Sequence, residues 1–358
     1  MSRSIEELRA HIVKLDSEID LQTKLLKNLE RDKGLAQRQL NAALDPVARL
    51  PPEISSEIFL QSLSASPSGK QGLPTALLSI CNAWTDIVLA TPALWTTVHI
   101  HFPCGEDLAE NLPMWFQRAR NLPLSILITI RGPSSNWSHS VSDVLWRHGG
   151  QVKHLEILDN DSDLLAFSYD ADGADDTIDL FGDTTSVSLP LLETLAIRCQ
   201  RQQRMYNPSQ IFQLLREAPN IVEFISHKVR TGINPAPETL VIPTLRRVIF
   251  GETSSGDDEI FLYLSLPALE ALSLPMRYIS GDELLACVKR SAAPLQDLAL
   301  GWEFDMMESI QLHDCLRLIP QSCQIHDVVA LLVRGSGFLY CVGRLLSPPG
   351  SPRSHHSY

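Results

Sequence analysis

The sequence predicts a modular α/β protein. It reads as a long N-terminal helix, a small helical module, and then a stack of strand–loop–helix units. Three observations carry this expectation. Residues 5–40 hold an apolar heptad. Prolines at 51, 52 and 92 open short helical stretches between residues 46 and 95. From residue 189 an apolar–Pro pattern returns every 24 to 29 residues. The expected units are residues 1–45, 46–95, 96–320 and a divergent segment, 321–358.

Residues 5–40 place Ile5, Leu8, Ile12, Leu15, Ile19, Gln22, Leu26, Leu29, Lys33, Ala36 and Leu40 at alternating steps of three and four. That is the a/d seam of a coiled coil, and eight of its eleven positions are Ile or Leu. A period of 3.5 rather than 3.6, kept over five heptads, favours self-association over an amphipathic helix folded back on its own chain. Ile at the first three a positions with Leu at d suits two parallel strands, so a homodimer through residues 1–45 is expected. No proline precedes Pro46, so one helix can run from near Ser4 to near Leu44.

Leu50-Pro51-Pro52 reads as extended, because a residue before proline is pushed out of the helical region. Pro52 suits the first turn of a helix, where its missing N–H is not needed. Glu53 sets a negative charge at the positive helix end. Ile54 and Ile58 stand one turn apart, as do Phe59 and Leu63, so this helix is apolar on more than one side. Leu77, Ile80, Cys81, Trp84, Ile87 and Val88 give a second helix. Thr91-Pro92 reads as an N-cap and N1 pair opening one more turn through Leu94 and Trp95. Two short helices make a small core, so apolar surface left on the first needs a partner.

The segments Leu50-Pro51-Pro52-Glu53-Ile54, Glu57-Ile58-Phe59, Ile80-Cys81 with Trp84, and Thr91-Pro92-Ala93-Leu94-Trp95 together resemble the F-box. The likeness is to the F-box-like form common in proteins of mushroom-forming fungi. That family docks a helical module onto a small Skp-type adaptor protein, and through it onto a cullin–RING ubiquitin ligase. The resemblance implies an adaptor-binding set of Leu50, Pro51, Pro52, Glu53, Ile54, Ile58 and Trp84. Within that set Trp84 is the anchor that holds the helices together.

Beyond the module, Thr97–Phe102 and Leu124–Ile130 alternate with period two and read as strands, with a short helix from Leu112 to Arg120 between them. A helix over Val141–His148 and a strand over Val152–Ile157 follow. The chain then repeats. Leu189-Pro190 leads to Leu192, Leu195 and Ile197; Ile242-Pro243 leads to Leu245, Val248 and Phe250; Leu266-Pro267 leads to Leu269, Leu272 and Leu274. Ala218-Pro219 is a weaker copy and Ala293-Pro294 a shifted one. The first apolar positions, 192, 221, 245, 269 and 295, are 29, 24, 24 and 26 apart, the range of leucine-rich repeats. Helical segments over Ser209–Glu217, Glu259–Leu264, Asp282–Arg290 and Ser309–Leu318 complete each unit. The expectation is a degenerate leucine-rich-repeat-like α/β solenoid. Strand alternation turns Ala196, Ile249, Ser273 and Ala299 outward, and these are the candidate target-binding residues.

Residues 159–183 hold nine aspartates and read as a solvated acidic loop. Asp159, Asp161 and Asp163 open like a calcium loop, but Leu164 and Asp170 stand where Gly and Glu are needed. Ser347–Tyr358 is rich in Pro, Ser and His and reads as disordered.

Composition excludes several functions. A net charge of −12 and a pI of about 5.4 argue against nucleic acid and against an anionic membrane surface. The seven cysteines form no C-x-x-C pair and no zinc spacing, so reduced thiols and no metal site are expected. No phosphate-cradling glycine loop, H-E-x-x-H, G-x-S-x-G or kinase set occurs, so no catalytic or cofactor-binding residue is assigned and no enzyme is expected. Charges scattered through the first twenty residues argue against a secretion signal. The best membrane candidate, Val328–Leu346, carries Arg334 within it, which costs several kcal/mol in a bilayer. The expected location is intracellular, in cytoplasm or nucleus. The expected function is a substrate-receptor subunit of a Skp–cullin–RING ubiquitin ligase; the alternative is a ligase-independent coiled-coil and leucine-rich-repeat scaffold.

Overall fold

In the computed structural model the described residues are 5–64, 74–105, 107–160, 177–182, 187–199, 205–227, 229–231, 238–251, 259–274, 281–301 and 324–328. The helix expected at Ser309–Leu318, most of Val328–Leu346 and the tail from Ser347 lie outside them, as do Asp161 and Asp163.

Helix α1 (Ile5–Leu44) is unbroken over 40 residues, as the absence of proline allows. A 3-10 turn over Val47–Arg49 leads to α2 (Pro52–Ser64). Leu50 is extended, at φ −77° and ψ 156°, as a residue before proline must be. The second helix expected from Leu77 to Val88 is instead two, α3 (Pro74–Leu78) and α4 (Asn82–Ala90). Cys81 is extended there, and side chains take up the freed carbonyls. Thr85 Oγ1 donates to Leu78 O and to Cys81 O, both at 3.0 Å, and Asn41 Nδ2 donates to Ile80 O at 2.9 Å. Pro92–Trp95 forms a 3-10 turn. Thr91 does not cap it, because its hydroxyl turns back to Ile87 O at 2.7 Å.

The remainder alternates strands with helices. In order come β1 (Thr97–Phe102), α5 (Leu108–Ala119), β2 (Leu124–Ile130), α6 (His139–Arg147) and β3 (Val152–Asp159). Then follow β4 (Thr177–Ile178), β5 (Thr194–Cys199), β6 (Met205–Tyr206), α7 (Pro208–Arg216), β7 (Glu223–His227) and β8 (Arg230–Thr231). The last are β9 (Leu240–Val241), β10 (Arg247–Phe250), β11 (Leu264–Ser265), β12 (Ala271–Leu274), α8 (Gly281–Ser291), β13 (Asp297–Gly301) and β14 (Gln324–Val328). The helix expected at Glu259–Leu264 is a 3-10 turn over Glu259–Tyr263.

Nine of these strands form one sheet in the order β1-β2-β3-β5-β7-β10-β12-β13-β14, and every pair in it is parallel. Each strand therefore lies beside the next main strand that the chain makes. One register row runs through Val98, Ile126, Leu155, Leu195, Phe224, Val248, Leu272, Leu298 and Ile325. Its successive spacings are 28, 29, 40, 29, 24, 24, 26 and 27 residues. The period thus begins three strands before the proline pattern does and extends one strand past Pro320, where that pattern fades. The single long step contains the acidic segment. The short strands stack in the same sense, as the parallel ladders β4-β6-β8 and β9-β11.

The proline pattern has a structural cause. Leu192 N donates to Leu189 O, Ile221 N to Ala218 O and Leu269 N to Leu266 O, each at 3.1 Å. These are four-residue turns with proline second, the position its fixed φ suits. The turns also bond to each other. Asn220 Nδ2 donates to Pro190 O at 2.7 Å, and Thr244 Oγ1 to Pro219 O at 3.0 Å.

One face of the sheet is covered. Residues of the Val98 row described as side chains are buried, as are Ile100, Ile128 and Ile157 beside them. Helices α5 to α8 bring residues such as Phe116, Leu145, Ile211 and Leu284 into that core. Each fully buried Leu, Ile or Phe contributes about 1.5–3 kcal/mol. The helical module joins the same core. Trp95 is fully buried, donates from Nε1 to Val88 O at 2.9 Å, and accepts at its carbonyl from Trp115 Nε1 at 2.9 Å. Arg118 lies 4.5 Å over the Trp95 ring, a cation–π contact.

Part of the segment expected to be a solvated acidic loop is built into this core. Leu180 and Phe181 are buried, and Trp146 Nε1 donates to Leu180 O at 2.8 Å. Asp179 Oδ1 accepts from Phe181 N at 3.1 Å, from Gly182 N at 3.0 Å and from Gln210 Nε2. No helix among the described residues is long and apolar enough to cross a membrane.

Candidate functional site

Helix α2 divides cleanly by side. Its inner side carries Ser55 and Phe59, both buried. Ser55 Oγ donates to Val47 O at 3.1 Å, which settles a buried hydroxyl, and the Phe59 ring lies 4.6 Å from that of Trp84. Ser56 Oγ lies 2.9 Å from Thr91 Oγ1, closing the helix onto the turn after α4. The outer side carries Pro52, Glu53, Ile54, Glu57 and Ile58, with Leu50 and Pro51 leading into it, and all are exposed. Leu50, Ile54 and Ile58 are 40, 51 and 42% exposed. Six of the seven residues assigned to adaptor binding therefore share this outer side.

The seventh, Trp84, does not. It is half-buried between Phe59 and Asp45, and its Nε1 donates to Asp45 Oδ2. Asp45 Oδ1 accepts from Val47 N at 2.8 Å, so one carboxylate ties α4 to the turn following α1. Asp45 is the residue sequence reasoning missed. Asp-Pro at 45–46 marks a turn, but nothing local in the sequence points to a tryptophan 39 residues away.

The second surface is the open face of the sheet. Ala196, Ile249, Ser273 and Ala299 do lie in one register row, which runs through Glu156, Ala196, Ile225, Ile249, Ser273 and Ala299. Ile249, Ser273 and Ala299 are partly exposed. Ala196 is only 3% exposed, although it faces the same way. The row continues through Leu127 and His99 on one side and His326 on the other; Glu156 and Ile225 were readable from the same period-two alternation in β3 and β7.

Ion pairs cross this face between adjacent strands and their approaches. Arg198 Nε lies 3.3 Å from Glu156 Oε1, Lys153 Nζ 3.2 Å from Glu193 Oε2, and Arg246 Nη1 3.3 Å from Glu270 Oε1. All are partly exposed, so each is worth under about 1 kcal/mol. Toward β1 the face carries His99 and His101. Burial first, and then the neighbouring His101, holds the His99 ring below the usual histidine range. Burial and then Arg131 do the same to His101.

Among the described residues, no group of three or more His, Cys, Asp or Glu is placed to hold a metal ion. Burial pushes the Cys104 and Cys287 thiols up, which makes them poorer nucleophiles. The chemistry these surfaces offer is apolar and ionic contact. In comparison with known proteins, the chain matches no protein-family model and no curated protein.

Proposed function

We propose that this chain is an F-box-like substrate receptor. Residues 46–95 dock a Skp-type adaptor and through it a cullin, and the repeat domain holds a protein target for ubiquitination. The observation that supports the reading best is the outer side of α2. Three apolar residues, Leu50, Ile54 and Ile58, stand in water there while the opposite side is pinned by Ser55, Phe59 and Trp84. Such a patch on an otherwise settled module is a protein-binding surface.

In this reading the sheet is a leucine-rich-repeat-like solenoid, and its open face receives the target. Sequential parallel strands at a spacing of 24 to 29 residues are what such repeats produce, with one insertion between β3 and β5. Trp95, Trp115 and Arg118 fasten module and sheet together, so a target held on the sheet keeps a fixed relation to the ligase. Catalysis is by proximity: tethering raises the effective concentration of target lysines near a charged ubiquitin.

Mixing the full chain with a purified Skp-type adaptor tests the first half. Co-elution as a stable complex is the expected result, whereas a ligase-independent scaffold gives two separate species. Because Ala196 is covered, the target surface is better probed at Ile249, Ser273 and Ala299. Ile249→Arg, Ser273→Arg and Ala299→Arg together should abolish target capture and leave the adaptor complex intact. Retrieval of the same proteins by the triple variant, read by mass spectrometry, moves the target site off this face.

A further inference from the structure

We infer that two copies of this chain join through α1 as a parallel, in-register pair, giving a two-headed molecule with both modules and both open sheet faces at one end of a rod. The pairing stands on α1 alone; what the heads bind rests on the receptor reading above.

The first support is an uncovered seam. Helix α1 has 40 residues and is about 60 Å long. Its eight Ile and Leu seam residues are 44 to 71% exposed. The surface that matches this seam, heptad for heptad, is the same seam on another copy.

The second support is where the head attaches. With Ile5 at position a, Asn41 falls at b and Asp45 at f, on the side away from the seam. Asn41 Nδ2 reaches Ile80 O at 2.9 Å, and Asp45 accepts from Trp84 Nε1. Leu40, the last a residue, remains 52% exposed. Among the described residues, nothing of the head covers the seam up to the final turn.

The third support sets the direction. Parallel pairing in register gives every seam Ile and Leu its own kind. The flanking g and e contacts become His11–Asp16, Glu18–Thr23, Leu25–Glu30, Asp32–Gln37 and Gln39–Leu44, none of them like-charged, so the like-charged contact in this pairing is Lys33 with its own copy in the seam. Sliding one heptad sets Gln22 and Lys33 against leucines, which buries polar groups without partners. The antiparallel pairing that joins Gln22 to Lys33 faces Ile12 and Ile19 with alanines, Ala43 and Ala36. It also leaves Ile5 and Leu8 beyond the end of the partner helix. Parallel pairing covers more apolar surface, and that term dominates. Since each head is pinned at the C-terminal end of its helix, both heads lie at the same end, where they can engage two sites on one target at once.

Two measurements on the full chain test this. Sedimentation at micromolar concentration should give the mass of two chains, and Ile12→Asp with Ile19→Asp should give the mass of one. A spin label carried on a ketone-bearing amino acid at Ala10, an outward f position, spares the native cysteines. Electron–electron dipolar spectroscopy should then read about 20 Å, since paired helix axes lie 8–10 Å apart. The antiparallel pair places these labels about 50 Å apart, at 1.5 Å per residue. A monomeric or trimeric wild type, or the long distance, overturns the inference. Calorimetric titration of the adaptor onto the monomeric variant reads the receptor proposal separately, because its adaptor surface is untouched.

Discussion

Helix α1 and the nine-stranded sheet carry equally regular apolar patterns, and they use them in opposite directions. In the sheet, the row from Val98 to Leu298 points into a core that helices cover. In α1, the row from Ile5 to Leu40 points into water. The difference lies in where each pattern finds its complement. A strand's complement is the next strand, some 24 to 29 residues along the same chain in all but one step. Among the described residues, nothing covers the seam of α1. A period shows that a surface is made to be covered; only the fold shows whether the chain covers it itself.

The largest expected effect lies on the self-covered side. Phe224 is fully buried in the central row, against Phe250 at 5.8 Å. Phe224→Ala should cost about 3–5 kcal/mol of unfolding free energy, read by urea titration. Ile12→Asp with Ile19→Asp, placed in an equally apolar row, should leave that titration of the head unchanged within about 0.5 kcal/mol. If the seam variant unfolds as early as Phe224→Ala, α1 is covered by its own chain and the contrast between the two regions collapses.

The join between the regions gives a smaller effect. Asp45→Ala leaves the Trp84 indole N–H without its acceptor, at a cost of about 1–3 kcal/mol. Asp45→Asn keeps one of the two acceptor oxygens that Asp45 uses, for Val47 N and Trp84 Nε1, and should recover only part of that loss. No destabilisation by Asp45→Ala means that the contact does not hold α4 to the turn after α1.

The smallest effect is one of pH, on the open face. His99 and His101 titrate below the usual 6.5 in the folded state, chiefly through burial. Near and below that pH the unfolded chain binds more protons, so stability rises with pH. Acidification from pH 7.5 through 6.5 toward the lowered folded values should therefore shift the urea midpoint slightly downward. His99→Gln should reduce that shift; an unchanged shift assigns it to other groups.

Much of this architecture is legible in the residues. The absence of proline before Pro46 marked out the long helix α1, and period-two alternation located β1 and β2. The proline pattern marked turns that recur from Leu189 onward. Two features were not legible as parts of one array. The first three strands lack an apolar–Pro pair at the repeat's spacing, with Pro92 and Pro123 out of phase, so Val98, Ile126 and Leu155 looked separate until register joined them to Leu195. The 40-residue step across the acidic segment hid the period at that point. Leu180 and Phe181 sit among aspartates, so local composition read as loop although both side chains are buried. For the candidate site, the helix that carries Ile54 and Ile58 was legible because proline punctuation and helical spacing are local, whereas the assignment of Leu50, Ile54 and Ile58 to an adaptor came from the family resemblance. The placement of Trp84 was not, because its partner Asp45 comes from the other side of α2. The covering of Ala196 likewise depends on neighbouring strands and not on β5 itself.

Calorimetric titration of the purified Skp-type adaptor onto the full chain, alongside the Leu50→Ala, Pro51→Ala double variant, tests the receptor proposal most directly. Both residues are exposed, so thermal melting of the double variant should match the wild type. Saturable binding by the wild type and none by the variant is the expected result. No binding by the wild type, or undiminished binding by a variant that melts normally, overturns the receptor proposal.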